Sequence, residues 1–448
     1  MFKQYSLLIL LITTILVTSC SNNSVSENGD GDDAPVCGNG IIEEGEICDG
    51  GSKSCIEIDS SIFSGGNANC RQDCSGWETS TCEAETIVCE GDYEIRTKAE
   101  LDEIMLCREI TGDLSIRIND TDEVRLPFLE KTGGSVVVLA ATYNEEEKEW
   151  ILYDDFSVEK LSLPKLKEIG QSFLSRPNVS LKSVEIPMLE EIGFGLSFIE
   201  NSSLTYIELP ALTKVGAYLI IGNNLQTKSI SFPELKEIYT ARPFEPDGDF
   251  AISGNDLLEE IYFPKLEKVG RTFGMSGSNG LKYFEFPSLS SIGMSLFVGE
   301  NDNLEEFRFP KLDIVVEDLT VWLNEKLKYF EISGELVVGE EFLIYDNPVL
   351  ESFSLDGFKR AGWYFEVSFN RSLKSFSAPD LEDTGDLLIN KNISLEDFEL
   401  LSLSLVRGNF IINDNSQLPT SKAESLKDQV LERDGIGGEI VIKGNKND

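Results

Sequence analysis

Apolar residues recur along most of this chain with a period of 23 residues. Counted from a proline, one unit reads P-x-L-x-x-I-G-x-x-L-x-I-x-x-N-x-x-L-x-x-I-x-L. The copy at Pro187 fills it with Leu189, Ile192, Gly193, Leu196, Phe198, Asn201, Leu204, Ile207 and Leu209. The proline ladder runs through Pro127, Pro164, Pro187, Pro210, Pro233, Pro264, Pro287, Pro310 and Pro379, with Ser333 and Asp356 at two of its steps. Two insertions interrupt it, one of about 14 residues near Thr142 to Trp150 and one of about eight near Ala241 to Asp249. One unit has too little apolar surface to fold alone, whereas stacked units place equivalent leucines and isoleucines in a continuous core. The L-x-I pair predicts a short strand with one face inward, paired in parallel with the strands of neighbouring coils. The expected fold is all-β, a right-handed parallel β-helix or leucine-rich-repeat-like solenoid of about twelve coils.

Three other positions in the unit repeat. Gly170, Gly193, Gly216, Gly270, Gly293, Gly339, Gly362 and Gly385 mark a corner that needs either positive φ or close coil contact. Asn178, Asn201, Asn224, Asn255, Asn301, Asn324, Asn347, Asn370 and Asn392 predict a buried amide ladder that satisfies backbone groups at a turn. Asn178, Asn201, Asn370 and Asn392 also begin N-x-S sequons, but the ladder role is the stronger reading. Five residues before each proline position stand Lys228, Glu259, Lys282, Glu305, Lys328, Glu351, Lys374 and, after a one-residue slip, Glu396. Alternating sign on adjacent strands fits cross-strand pairing, so this stripe is assigned to structure.

The outward positions flanking the L-x-I strand include Tyr218, Ile220, Phe297, Trp322, Leu343, Tyr345 and Tyr364. Large apolar side chains on a solvent-facing sheet are uncommon unless something covers them. Either a loop or a second copy packs there, or these residues are the anchors of a binding patch. At the C-terminus Ser421 to Glu424 predicts a capping box opening a helix with Ala423, Leu426 and Val430 on one side, stopped at Asp434-Gly435. Gly438 to Lys443 predicts a last strand, so the end of the solenoid is capped from about residue 420.

The nine cysteines are confined to the first quarter of the chain. Six of them, Cys37, Cys48, Cys55, Cys70, Cys74 and Cys82, fall in a segment poor in large apolar residues. Disulfides are the expected staple of such a module, over residues 37–82, with the connectivity open. Their spacing lacks paired C-x2-C knuckles, which argues against zinc. Asp49 with Glu43, Glu44 and Glu46 reads as a solvated acidic loop rather than a calcium site. Between Cys89 and Cys107 lie a strand, a Thr97 N-cap and a short helix with Leu101, Ile104 and Met105 inward, followed by the strand GDLSIRI.

Composition narrows the chemistry. With 38 basic and 79 acidic residues the 448-residue chain carries a formal charge of −41, which repels nucleic acid. It has no histidine, so histidine-based catalysis and histidine-ligated metals are excluded. No catalytic residue, metal or cofactor is expected. At the N-terminus Lys3, the apolar run Leu7 to Val17 and Val17-Thr18-Ser19-Cys20 predict a signal peptide over residues 1–19. Residues 20–36, rich in Ser, Asn, Gly and acids, read as a flexible tether.

Three resemblances follow. The segment ending in Cys20 resembles the lipobox of bacterial lipoproteins, which implies lipidation of Cys20, and Ser21 beside it implies sorting to the outer membrane. The CGNG then GE-x-CDG sequence resembles cysteine-rich repeats of bacterial envelope proteins and implies a spacer or interaction module. The Cys89 to Cys107 opening, GDLSI and the P-x-L-x-x-I-G repeats resemble receptor L domains, the ligand-binding domains of insulin and epidermal growth factor receptors. That resemblance covers roughly residues 87–443 and implies a disulfide-tied cap on the solenoid and a ligand on its broad sheet face. The chain departs from the receptors in its long run of regular coils, which leaves open one solenoid or two fused domains. The reading that follows is a non-enzymatic, lipid-anchored envelope protein that recognises a protein or glycan. A passive structural protein is the alternative, and a β-helical polysaccharide-degrading enzyme, which needs grooved carboxylate pairs, is the weaker one.

Overall fold

The computed structural model describes residues 37–43, 45–59, 63–84, 87–144, 149–152, 156–239 and 248–447. The signal segment, Cys20, the tether and nearly all of the eight-residue insertion lie outside the described residues. The chain divides into two compact units, one of residues up to 53 together with 69–78, the other of residues 54–68 and 79–448.

In the smaller unit, disulfides join Cys37 to Cys74 and Cys48 to Cys70. A short antiparallel ladder sets Asn69 against Glu78 and Cys70 against Trp77. Oδ1 of Asp49 accepts the backbone N–H groups of Gly38 and Asn39, so the aspartate of CDG closes the CGNG turn. The Cys55–Cys82 disulfide lies in the larger unit. There the antiparallel strands Phe63–Gly65 and Glu83–Ala84 carry Phe63 against Phe128 of the solenoid, with ring centroids 5.7 Å apart.

The larger unit is a parallel β-solenoid of about thirteen turns of about 23 residues. A typical coil has three strands, as in Glu191–Ile192, Gly195–Ile199 and Tyr206–Glu208. Each pairs in parallel with its equivalent one coil on, so that Ile192 faces Val215, Leu196 faces Leu219 and Ile207 faces Ile230. The first two strand types run together through one 28-stranded sheet, which passes along the whole stack without interruption. The repeat leucines and isoleucines fill its interior, with Leu189, Ile192, Leu196 and Leu204 fully buried. The L-x-I pair thus does mark the strand, and the sheet is one solenoid rather than two.

The third strands form separate sheets of three, three and six members. In the six-membered one, Phe284, Phe307, Phe330, Phe353, Phe376 and Phe398 occupy one inward position and stack nearly parallel, with neighbouring centroids 4.9–5.7 Å apart. Coil spacing in a parallel sheet, about 4.8 Å, is close to ring-stacking distance, which is why this column accepts a run of phenylalanines. The sheet breaks between Ser183–Glu185 and Tyr206–Glu208, and again between Glu260–Tyr262 and Tyr283–Glu285. Ile261, on the edge of the second break, is 9% exposed where its equivalents Ile230 and Phe307 are wholly buried.

The corner glycines have close packing as their cause. None of them lies in the left-handed region, but a Cβ on Gly193 would strike the carbonyl oxygen of Gly170, and one on Gly362 that of Gly339. Left-handed residues recur at another position instead. Glu200, Asn223, Gly254, Gly277, Glu300, Leu323, Asp346, Phe369, Lys391 and Asp414 have φ between 49° and 65°, and each directly precedes a ladder position. For a residue with a Cβ this conformation costs about 1–2 kcal/mol, so something must hold the turn.

The amide ladder does so. Asn347 is fully buried, and its Nδ2 donates to the carbonyls of Val321 and Tyr345, both at 3.0 Å, the latter two residues back across the left-handed Asp346. Its Oδ1 accepts the backbone N–H of Asn324 at 3.2 Å and the Asn324 amide at 3.1 Å. The same pattern links Asn301 through Asn324, Asn347, Asn370 and Asn392 to Asn415 and then Asn445. An earlier stretch links Asn201, Asn224 and Asn255, but not Asn178 as expected: its Oδ1 accepts the N–H groups of Ser180 and Leu181, and its Nδ2 is buried without a partner. Ser278 stands at the step between, and its hydroxyl is buried without a hydrogen-bond partner. The sequon residues Asn178, Asn201, Asn370 and Asn392 are all fully buried, which removes their amides from glycosylation.

Both solenoid ends are covered. At the first, Thr97 and Glu100 form a reciprocal capping box on the helix Lys98–Glu103, Leu101 and Ile104 are buried, and the Cys89–Cys107 disulfide ties the segment down. Met105 is only half-buried. At the second, the helix is Thr420–Leu431, preceded by Pro419, and no side-chain cap forms. The expected Ser421–Glu424 capping box is therefore wrong. The helix starts two residues earlier, with Pro419 rather than Ser421 at the N-cap, and Thr420 Oγ1 donates to the Lys446 carbonyl at 2.9 Å. Ala423, Leu426 and Val430 do face the core, and Gln429 Nε2 donates to the carbonyls of Leu400 and Leu403, both at 3.0 Å. Ile440–Lys443 closes the sheet beside Phe410–Asn413.

Three stability outcomes follow from the ladder and its turn. Asn347→Ala strands several buried donors and acceptors and should cost about 3 kcal/mol in denaturant unfolding. Ser278→Asn, which supplies the missing step, should gain about 1 kcal/mol. Leu323→Gly, which relieves a left-handed leucine at the expense of chain entropy, should gain roughly 0.5–1 kcal/mol.

Candidate ligand-binding face

The seven outward residues anticipated from the repeat all lie on the solvent side of the large sheet, where strict register fixes their neighbours. One column runs Ile220, Ala251, Gly274, Phe297, Thr320, Leu343 and Glu366, and the next Gly222, Ser253, Ser276, Gly299, Trp322 and Tyr345. The columns divide the seven into two groups. Tyr218 lies over Gly195 and meets Phe194 edge-on at 5.6 Å, with Ile220 beside it on the same strand. Two coils of small residues, around Ala251 and Gly274, separate that pair from the rest.

The second group is continuous. Trp322 lies over Gly299, where a Cβ would run into its indole, and meets Phe297 edge-on at 6.1 Å. Tyr345 is its direct neighbour on the next strand, Leu343 is two residues back on that strand, and Tyr364 adjoins on the following coil at 37% exposure. The amide ladder positions these side chains, because Asn324 and Asn347 hold the carbonyls of Trp322 and Tyr345, both at 3.0 Å. Trp363, 57% exposed at the corner before Tyr364, extends the aromatic surface. It was not anticipated, because it directly follows the corner glycine Gly362 and lies outside the L-x-I strand whose outward positions were considered.

Carboxylates border this group. Asp318 is followed one coil on by Glu341, whose backbone N–H it accepts at 3.2 Å, and Glu341 is opposite Tyr364. Glu366 is opposite Leu343 and accepts the Ser368 hydroxyl at 2.6 Å. Burial pushes the Glu341 carboxyl above its ordinary range, and the charges of Asp318, Glu340 and Glu366 push it further. Burial likewise raises the Tyr345 phenol, with Asp346, Glu366 and Glu300 adding to it. The signal for this was present in the sequence, since the residue before the strand is acidic on two successive coils, but only the stripe before the prolines was read for charge.

That stripe behaves differently. Lys328 pairs with Glu305 at 2.7 Å and Lys374 with Glu351 at 3.0 Å, and the Lys328 hydrogen bond and charge hold the Glu305 carboxyl below its ordinary value. Each pair is exposed and contributes little stability, but like charges are kept apart.

Among the described residues, a shallow cleft opens at each break of the third-strand sheets. The larger, about 380 Å³, is lined by Arg125, Pro164, Val184, Glu185, Pro187 and Glu208. The other, about 350 Å³, has Tyr262, Pro264, Lys282, Tyr283 and Glu285 in its wall. There the Tyr283 hydroxyl donates to Glu285 at 2.8 Å, and burial with that bond pushes the phenol up to about 12. In the smaller unit the sulfurs of Cys37, Cys70 and Cys74 lie close together, but all three belong to disulfides and are not free thiolates.

The sequence model of the receptor L domain family matches residues 190–286, about four coils that include Tyr218 and Ile220. No curated protein and no solved structure matches the chain. That partial match and the solenoid fold are consistent with a ligand-binding module.

The raised Glu341 pKa has a definite consequence. The folded state binds a proton more tightly than the unfolded one, so this group loses the protein stability as pH rises through the carboxylate range. Glu341→Gln should raise the thermal midpoint near neutral pH, with the advantage fading below about pH 4 as both states protonate.

Proposed function

We propose that the chain is a non-enzymatic recognition module of the bacterial cell envelope, anchored through lipidated Cys20 in the outer membrane. It binds a protein or glycan through the aromatic group of the large sheet. The observation that carries this reading is the continuous outward surface of Phe297, Trp322, Leu343, Tyr345 and Tyr364, which the register assembles from four successive coils. A buried interior already accounts for the fold, so outward aromatic side chains held on rigid strands are available as anchors for a partner. The family match over part of the solenoid supports a ligand-binding role. The lipobox-like sequence before Cys20, with the acidic segment after it, supports a tethered display.

Two experiments test this. In the first, the full chain and its Trp322→Ser/Tyr345→Ser variant are screened against glycans and neighbour-cell proteins. Binding that the variant loses by about tenfold or more, at unchanged circular dichroism, supports the face, whereas binding indifferent to the change removes it. In the second, expression in a bacterium with labelled palmitate should give incorporation that Cys20→Ser abolishes. Unlabelled wild-type protein in the soluble fraction would remove the anchor.

A further inference from the structure

The outward charges of this solenoid follow two different rules. At many places on the solenoid opposite charges pair across neighbouring coils, as in Lys131–Glu168 at 3.0 Å, Lys160–Glu185 at 2.8 Å, Lys182–Glu159 at 2.6 Å and Lys328–Glu305 at 2.7 Å. Around Tyr345 like charges adjoin without such a partner. Asp318 and Glu341 are adjacent on successive coils, Glu366 is close enough to raise the Glu341 pKa, and among the described residues no ion pair joins any of the three to Lys or Arg. Like charges side by side on a sheet are destabilising, and they sit here among Trp322, Tyr345 and Tyr364.

We infer that the partner of this face is a protein segment bearing lysine or arginine. This rests on the proposed recognition role and names the class of its ligand. The cationic side chains lie over the aromatic faces, while Asp318, Glu341 and Glu366 exchange their mutual repulsion for attraction to the guest. A neutral sugar would satisfy the aromatic rings but would leave three unneutralised carboxylates around it. Charge complementarity therefore favours the basic segment.

The probe is a synthetic peptide of about ten residues alternating lysine and glycine, compared with its lysine-acetylated twin, which keeps the length and loses the charge. Because the whole chain is acidic, two variants of equal net charge are needed. Glu341→Gln/Glu366→Gln neutralises the face, and Glu305→Gln/Glu351→Gln neutralises the paired stripe. Calorimetry with the full chain should show the lysine peptide binding and the acetylated one not. Affinity should fall about tenfold in the face variant and in Trp322→Ala, but less than about twofold in the stripe variant. Equal losses in the two double variants would show attraction to bulk charge and overturn the inference, as would binding indifferent to Trp322→Ala. Absence of peptide binding also overturns it. If an uncharged glycan then binds in a Trp322-dependent way, the recognition face stands with another ligand; if no screened molecule binds the face, the recognition reading fails with it.

Discussion

A coil of this solenoid cannot bury its own apolar side chains. Leu196 and Phe198 become interior only when Leu219 and Ile221 lie against them one coil further on, and the same holds along the stack. Everything else depends on keeping consecutive coils at one spacing and in one register. Parallel backbone pairing sets the spacing, about 4.8 Å, and glycine corners allow it where one coil's backbone runs directly over the carbonyl of the last. The asparagine amides then lock the register at the turn, each reading the backbone of its own coil and of the one before. Disulfides and a helix at the ends serve the same constraint by covering coils that have only one neighbour.

With the interior so constrained, variation is left to the outward positions. Their column neighbours are determined by the repeat, so residues far apart in sequence meet on the surface at fixed intervals. Phe297, Trp322, Tyr345 and Tyr364 span 68 positions of chain yet lie on four consecutive strands. A rigid sheet of this kind holds aromatic side chains with little conformational freedom left to lose on binding. The stripe before the prolines uses the same geometry to opposite effect, setting unlike charges beside one another.

How much of this was legible in the sequence follows from what repeats. The period, inward leucines, asparagine ladder and side of the sheet carrying Tyr218 through Tyr364 all leave a mark every 23 residues. Asn445 stands 30 residues after Asn415 and so off the period, while Asn415, although 23 residues after Asn392, was not read as a ladder member; both accept from the preceding amide. The left-handed turn left only a partial compositional trace: Asn223, Gly254, Gly277, Asp346 and Asp414 suit positive φ, but Leu323, Phe369 and Lys391 are unusual choices there, and the asparagine beside them does the holding. The Cys89–Cys107 pair was implied by the receptor L domain resemblance, but pairing among the other six cysteines depends on three-dimensional approach and had no local signal; their partners are 37, 22 and 27 residues apart. The division of the aromatic residues into two groups needed the small outward residues Ala251 and Gly274 to be read as a gap.

The step at Ser278 has a mechanical meaning. The amide ladder is interrupted between Asn255 and Ser278, whose backbone N–H still donates to Asn301 Oδ1 at 3.1 Å, and the third-strand sheet breaks at the same junction, between Glu260–Tyr262 and Tyr283–Glu285. Two of the lateral ties between those coils are missing together, leaving the large sheet and the packing of Phe250, Phe263, Phe273 and Phe286 to join them. In a stack whose cohesion is a sum of neighbour-to-neighbour terms, the weakest junction decides where cooperativity ends. Parting of the stack at this junction under tension would leave an N-terminal segment carrying Tyr218 and a C-terminal one that keeps the whole Trp322 surface intact.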